Sequence, residues 1–286
     1  MKTIWWLASY PKSGNTWVRL FLANYRKDDG EPVHINHMGG HIAASREMFE
    51  EFAGVDSSDL TAAEIERCRP RVYRGLDAQQ RQALFLKVHD AWTRNADGEP
   101  IFPAEVTAGV IYIVRNPLDV AVSYGHHSGR PLEEMVARLN DEAWSTEGTR
   151  DRPSTQLAQR FLSWSGHVRS WIDTSALPVL VTRYEDLLAE PPAAFTAIVR
   201  FAGLPVDPER LRKALEETLF DRLQAQEAES GFAERRLEAT RPFFGQGRPG
   251  GWRSELSPAL AHRIIEAHRD TMRRFGYLDE KDEPEY

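Results

Sequence analysis

The stretch from Ile4 to Leu22 constrains this chain more than any other. Ile4-Trp5-Trp6-Leu7-Ala8 is a short apolar run, the pattern of a buried strand. Pro11, Lys12, Ser13 and Gly14 interrupt it, and apolar residues then recur at Trp17, Leu20, Phe21 and Tyr25, at helical spacing. Strand, tight loop and helix N-terminus in that order make a seat for an anion. The first amides of a helix have no intrahelical acceptor, and the helix dipole places partial positive charge there. Gly14 lets the backbone come close to a ligand. Ser13 and Thr16 add hydroxyls, Asn15 an amide and Lys12 a mobile charge, so the loop suits a phosphate-like group.

A Walker-type loop places its Lys directly before the hydroxyl residue that opens the helix, after a longer glycine-rich stretch. Here Lys12 precedes the only glycine of the loop, so the match to a nucleoside triphosphatase is poor.

Further strands are expected at Ala83–His89, Val110–Val114 and Val179–Thr182. Val110–Val114 is wholly apolar, as for a parallel strand covered on both faces. Helices alternate with them: one from Leu118 to about Tyr124, an amphipathic piece around Leu132–Trp144, a long one from about Ser154 to Asp173, and a last one opened by Ser257-Pro258 and closed by Gly276. Thr61-Ala62-Ala63-Glu64 reads as a capping box. Polar motifs follow strands. This is the pattern of an α/β fold with a doubly wound parallel sheet and ligands at its carboxyl edge, a P-loop-like nucleotide-binding architecture. One domain over residues 1–286 is expected, with acceptor-site insertions at 26–82 and 125–153, and Thr146–Pro153 as a polar mobile piece.

The net charge is −7 over 286 residues, so no global field draws nucleic acid or anionic lipid. A highly anionic ligand must be held by cations gathered locally. A single cysteine, Cys68, excludes an internal disulfide and a cysteine zinc cluster. No apolar run is long enough for a membrane span, and the first strand begins too near Met1 for a targeting peptide, so a cytoplasmic protein is expected. His37 and His41 have the spacing of helical metal ligands, but Gly39-Gly40 between them argues for a loop; no metal is expected.

Two more constellations carry chemistry. Arg115 leaves a buried strand, and its guanidinium can grip a phosphate at two points; taken alone it reads more readily as a salt-bridged strand end. Ser123 lies eight residues on, about two helical turns. Lys87 and His89 are two apart in a strand and so face one side, a cation beside a titratable base.

With these residues in view, Tyr10-Pro11-Lys12-Ser13-Gly14-Asn15-Thr16-Trp17 resembles the 5′-phosphosulfate loop of the cytosolic-type sulfotransferases, differing only at Asn15. Arg115-Asn116-Pro117-Leu118-Asp119 through Ser123 is similar to that family's 3′-phosphate segment, and Lys87-Val88-His89 to its Lys-Thr-His, whose histidine is the general base. Tyr184 matches a tyrosine that contacts adenine. Thr218-Leu219-Phe220 looks like the family's Thr-Ser-Phe, which implies an adenine sandwich of Trp17 and Phe220. Gly245-Gln246-Gly247-Arg248-Pro249-Gly250-Gly251-Trp252 resembles Arg-Lys-Gly-x-x-Gly-Asp-Trp. Gly247 matches, the Arg-Lys pair is missing, and Arg248 is a candidate replacement. The family's C-terminal dimerisation pattern is absent, so the oligomeric state stays open.

The resemblance implies a sulfotransferase that uses 3′-phosphoadenosine 5′-phosphosulfate as co-substrate and sulfates a hydroxyl or amine of a small molecule. His89 would be the base, with Lys12 and Lys87 balancing charge. Alternatives are a P-loop-type kinase using ATP and Mg²⁺, with Asp90 or Asp186 as the nearest metal carboxylates, and a non-catalytic nucleotide-binding protein. Trp92, Trp144, His34, His37, His126 and His127 are candidates for lining an aromatic or glycosylated acceptor site. Bacterial sulfotransferases of peptide and glycopeptide natural products have a similar opening octet.

Overall fold

A computed structural model describes residues 2–27, 31–146, 154–245 and 247–285. Four strands, β1 (Ile4–Ser9), β2 (Leu84–Val88), β3 (Thr107–Val114) and β4 (Val179–Arg183), form one sheet in the order β2-β1-β3-β4. β1 and β2 are parallel, with Ile4 opposite Leu84 and Ala8 opposite Val88. β2 and β3 lie on opposite sides of β1, so the order of building reverses beside β1. In a doubly wound sheet the ligand crevice opens at that switch point. The α/β architecture expected from the alternating pattern is the one found.

The helices among the described residues are α1 (Asn15–Arg26), α2 (Arg46–Ala53), α3 (Ala62–Gln79), α4 (Pro117–Ser128), α5 (Leu132–Asn140) and α6 (Trp164–Arg169). After β4 follow α7 (Tyr184–Ala189), α8 (Pro191–Phe201), α9 (Pro208–Glu217), α10 (Phe220–Ser230) and α11 (Pro258–Arg274). None is long and apolar enough to cross a membrane.

The chain divides into two compact units that interleave along the sequence. Unit 1 is Met1–Tyr10, Gly40–Tyr112 and Glu142–Val181; unit 2 is Pro11–Gly39, Ile113–Asp141 and Thr182–Tyr286.

Unit 1 is centred on Trp6, which is fully buried. Its indole N–H donates to Thr107 Oγ1 at 2.8 Å, and its ring meets Tyr73 and Phe102 edge-on at 5.0 Å. Burying aromatic rings of this size supplies much of a core's hydrophobic stabilisation, and edge-on pairs add about 0.5–1.5 kcal/mol each. Tyr73 belongs to α3, so part of the 26–82 segment is framework. The capping box at Thr61 is present: Thr61 Oγ1 accepts from the Glu64 amide, and the Thr61 amide donates to Glu64 Oε2. Cys68 is half-buried in α3.

The long helix expected over Ser154–Asp173 is not there. Residues 154–163 are extended and bridge to neighbours: Leu157 N donates to Ala44 O, and Phe161 N to Trp144 O. Leu162 turns through φ +59°, and Ser163 then caps α6 by accepting from Gly166 N. Of the regularly spaced apolar residues Leu157, Phe161, Trp164, Val168 and Trp171, only the last three are helical, with a wider π-type turn over Ser170–Thr174. A helical period in buried residues does not require a helix when backbone partners exist elsewhere. Of Thr146–Pro153, residues 147–153 lie outside the described residues.

Unit 2 holds α1 against α8, where Phe21 and Phe195 rings lie 4.2 Å apart. Tyr25 O–H donates to Pro205 O. A second cluster joins Leu20 of α1, Ile35, Leu223 of α10, Phe232 and Phe244, with Trp17, Met38, Phe220 and Phe243 packed against it. Asn116 caps α4 and Pro117 occupies its first position, where the missing N–H costs nothing. Ser257 accepts from Leu260 N at the start of α11, and Gly276 at φ +65° follows its end.

Candidate functional site

The loop after β1 has the strand–turn–helix form expected. Lys12 sits at φ +68° and Gly14 at φ +100°. A left-handed lysine costs about 1–2 kcal/mol, and such strain concentrates at ligand-binding turns. Gly14 is obligatory for a second reason: a Cβ there would lie 2.5 Å from Tyr184 Cδ2. Trp17 N donates to Gly14 O at 3.0 Å. Asn15 is buried as the first residue of α1. Lys12 places its ammonium 3.6 Å over the Phe243 ring, a cation–π contact.

Arg115 is aimed by two neighbours. Its Nη1 donates to Lys12 O at 2.9 Å, and its guanidinium carbon lies 4.5 Å over the Tyr184 ring. The Nε is buried without a hydrogen-bond partner, and so is Ser13 Oγ. Orphaned buried donors are costly unless a ligand or water satisfies them. Two such donors at one loop fit an oxyanion.

Ser123 lies on α4, half-buried, in the same unit as Arg115. Gly247 is held at φ +60°, where a Cβ would come within 2.8 Å of Phe220 Cε2. This glycine is thus required by the ring it touches. Arg248 beside it is exposed; Gln246 lies outside the described residues.

Sequence reasoning missed Asp119, which fastens the glycine-rich segment. Its buried carboxylate accepts from Gly250 N at 2.9 Å and Trp252 N at 3.1 Å. The signal was visible: an acid in the first turn of a helix, four residues after Arg115. Its partners lie more than 130 residues on, beyond any local pattern. Glu185 acts similarly, accepting from Asn116 N and from Tyr277 O–H. Burial pushes the Glu185 carboxyl above its usual range.

Trp17 and Phe220 pack on the same apolar cluster. Trp17 also meets Tyr184 and Phe195 edge-on, at 6.2 and 5.2 Å, and its indole N–H is buried without a partner. Tyr184 is buried, which pushes its hydroxyl pKa up. Thr218 ends α9 and donates its hydroxyl proton back to Ala214 O at 2.8 Å, leaving only lone pairs for a ligand. Glu234 was also unforeseen. Its carboxylate accepts from Thr16 Oγ1 at 3.2 Å and from Arg19 Nη1, so an internal anion holds the Thr16 hydroxyl.

Lys87 and His89 belong to unit 1; the residues above belong to unit 2. Lys87 is pinned through its backbone: its N–H donates to His41 O and its C=O accepts from Ala43 N. His89 Nδ1 lies 2.9 Å from Ser9 O. A carbonyl only accepts, so Nδ1 carries a proton.

Of the candidate acceptor residues, Trp92 and Trp144 belong to unit 1, and His34, His37, His126 and His127 to unit 2. Trp92 is buried beside the Arg94 guanidinium, and Trp144 lies 6.2 Å from the Phe161 ring. His34 caps a 3₁₀ turn over Ile35–His37, with His37 within it. His126 is held between Glu255 and Thr240, and His127 meets Phe243 edge-on. No group of three metal-ligating side chains occurs among the described residues. Asp90, a magnesium carboxylate in the kinase alternative, is consumed by Arg69: both are buried, with two N–H···O bonds of 2.8 and 2.9 Å. Asp186 lies 3.7 Å from Arg183.

A family model described as a sulfotransferase domain matches residues 2–276. Sulfotransferase 1C2 of the rabbit, Oryctolagus cuniculus, is 22% identical over 270 residues, covering 93% of this chain and 82% of that protein. Flavonol 3-sulfotransferase of Flaveria bidentis is 22% identical over 272 residues, covering 90% and 78%. Among solved structures, mouse sulfotransferase SULT7A1 complexed with PAP matches with a TM-score of 0.60 at 20% identity, over 96% of this chain and 86% of that one. Retinol dehydratase in complex with androsterone and inactive cofactor PAP matches with a TM-score of 0.63 at 17% identity, over 95% and 81%. At these identities the structural likeness establishes a common fold.

Proposed function

The chain belongs to the sulfotransferase-domain family, and on that premise we propose that it transfers a sulfuryl group from 3′-phosphoadenosine 5′-phosphosulfate to a hydroxyl or amine of a small-molecule acceptor. The observation that carries the reading is the pair of buried, unpartnered donors, Ser13 Oγ and Arg115 Nε, at a glycine-hinged loop. Named relatives act on flavonols, and solved neighbours hold retinol or androsterone with PAP, so a small apolar or aromatic acceptor is the natural expectation.

In this reading Ser13–Thr16 seat the 5′-phosphate. Arg115, Ser123 and the Gly247 segment seat the 3′-phosphate. Trp17, Tyr184 and Phe220 hold the adenine, with Thr218 at its edge, and Arg248 serves the 3′-phosphate from the loop that lost its Arg-Lys pair. His89 Nε2 takes the acceptor proton as the acceptor oxygen or nitrogen forms its bond to sulfur. The bond from sulfur to the bridging phosphate oxygen breaks, and the electron pair leaves on adenosine 3′,5′-bisphosphate. Lys12 stabilises that leaving oxygen and Lys87 the sulfuryl oxygens. Charge at the transferred group is already dispersed, so positioning and electrostatics carry most of the rate.

Calorimetry tests the donor half. Adenosine 3′,5′-bisphosphate should bind without added Mg²⁺ and more tightly than AMP or ATP. Arg115→Ala should weaken it about 10- to 100-fold, the value of a hydrogen bond to a charged group. Equal affinity for AMP and the bisphosphate would remove Arg115 and Ser123 from the site. A mass-spectrometric screen for a sulfate-sized gain addresses the acceptor.

A further inference from the structure

The turn leaving β2 is held from beneath by buried side chains that neither the loop nor the proton transfer uses. His89 and Asp90 are consecutive, and both of their backbone carbonyls are engaged by one helical segment. His167 Nε2 lies 3.1 Å from His89 O, and Trp171 Nε1 donates to Asp90 O at 2.9 Å. The two donors are four residues apart, one helical turn. The next two amides are also fixed: Ala91 N donates to Arg160 O and Trp92 N to Ser170 Oγ.

His167 is fully buried, and its tautomer follows from its partners. Its Nε2 faces a carbonyl, so Nε2 carries the hydrogen. Its Nδ1 must then accept, and Tyr112 O–H, 2.7 Å away, is the donor. The groups facing the His167 ring are Tyr10, edge-on at 5.5 Å, Tyr112 on β3, and the His89 and Asp90 backbone. None is charged, and burial keeps the imidazole neutral across the working range, with its pKa pushed down to about 3. A donor that cannot change its charge is a fixed strut. It fixes one end of His89, while Ser9 O fixes the Nδ1 side of the ring.

We propose that His167, oriented by Tyr112, is a positioning residue: it sets the backbone of His89 so that the His89 ring donates to Ser9 O and presents Nε2. This rests on the reading of His89 as the base, but its structural half, the ordering of His89, stands apart from that reading and is measured separately.

The decisive measurement is the ¹⁵N imidazole NMR spectrum of the full-length protein, with calorimetry of adenosine 3′,5′-bisphosphate as the check on folding. The native protein should show His89 as a single Nδ1–H tautomer. His167→Leu removes the donor and should move the His89 ring nitrogens towards the averaged shifts of mixed tautomers. Affinity for the bisphosphate should hold within about twofold. His167→Gln, whose amide can still donate to His89 O, should restore the native spectrum, and Tyr112→Phe should fall between. With 4-nitrophenol as probe acceptor, His167→Leu should lower kcat about 10- to 100-fold with KM little changed, the range for loss of an orienting partner.

An unaltered His89 tautomer in both His167→Leu and Tyr112→Phe overturns the proposal. So does a Gln variant no better than the Leu variant while both bind the bisphosphate. If His167→Leu does not fold, the Gln and Tyr112→Phe spectra decide in the same way. Altered His89 spectra with full turnover by His89→Ala would uphold the strut and reject the base.

Discussion

At the residue scale, the site depends on who owns each proton and each charge. Ser9 O takes the His89 Nδ1 hydrogen, and in the proposed reaction Nε2 is the base. His89→Ala should therefore lower turnover by about 10²–10⁴-fold, the range for a general base, while calorimetry finds bisphosphate affinity unchanged. Native turnover in that variant would exclude His89 from the proton transfer. Glu234 makes the opposite kind of prediction. Its carboxylate takes the Thr16 hydroxyl and the Arg19 guanidinium, and a phosphate seated there as proposed would have to displace it. Glu234→Gln keeps the shape and removes the charge, so bisphosphate binding should tighten by about threefold to tenfold, a loss of like-charge competition worth about 1 kcal/mol. Weaker binding would mean that Glu234 orders the loop rather than competing for it.

At the element scale, two helices fix distant loops through their contacts. α4 brings Asp119 to the amides of Gly250 and Trp252, and α10 sets Phe220 against Gly247. Asp119→Ala leaves two backbone donors without their acceptor and should weaken bisphosphate binding about tenfold. It should also lower stability by about 1–3 kcal/mol, the cost of orphaned buried amides. Calorimetry and urea unfolding read the two effects. Gly247→Ala meets both a left-handed backbone and the Phe220 ring, so the ring or the loop must move. The same titration should show an affinity loss with little change in the unfolding midpoint. An affinity equal to the native protein's would show that the loop does not touch the ligand. The missing Ser154–Asp173 helix belongs to this scale too. The periodicity of Leu157, Phe161 and Trp164 reports burial, and the backbone partners at Ala44 and Trp144 decided the conformation.

At the scale of the whole molecule, buried neutral histidine ties stability to acidity. His167 has a folded pKa pushed down to about 3, against 6.5 for the free side chain. Between those values the unfolded chain binds a proton that the folded one refuses, so stability is full above about pH 6.5 and falls as pH drops. The slope is about 1.4 kcal/mol per pH unit. From pH 6.5 to pH 4 this one group costs roughly 3 kcal/mol, and His167→Gln should lose correspondingly less over the same range in urea unfolding. Equal losses in the two proteins would mean that the ring is solvated when folded.

The four strands, the turn at Lys12–Gly14 with the helix after it, and the placing of Lys87, His89 and Arg115 in or just beyond strands were determined by the sequence alone. They are local: a strand's alternation, a glycine at a turn and a cation at a strand end act within a few residues, where spacing is enough to read them. The partners that hold these groups were decided only by the tertiary structure. Asp119 reaches Gly250, Glu234 reaches Thr16, and His167 reaches His89, across separations of 131, 218 and 78 residues. A hydrogen bond is set by distance in space, and no period or spacing in the chain encodes which buried donor will meet which buried acceptor once the core has closed.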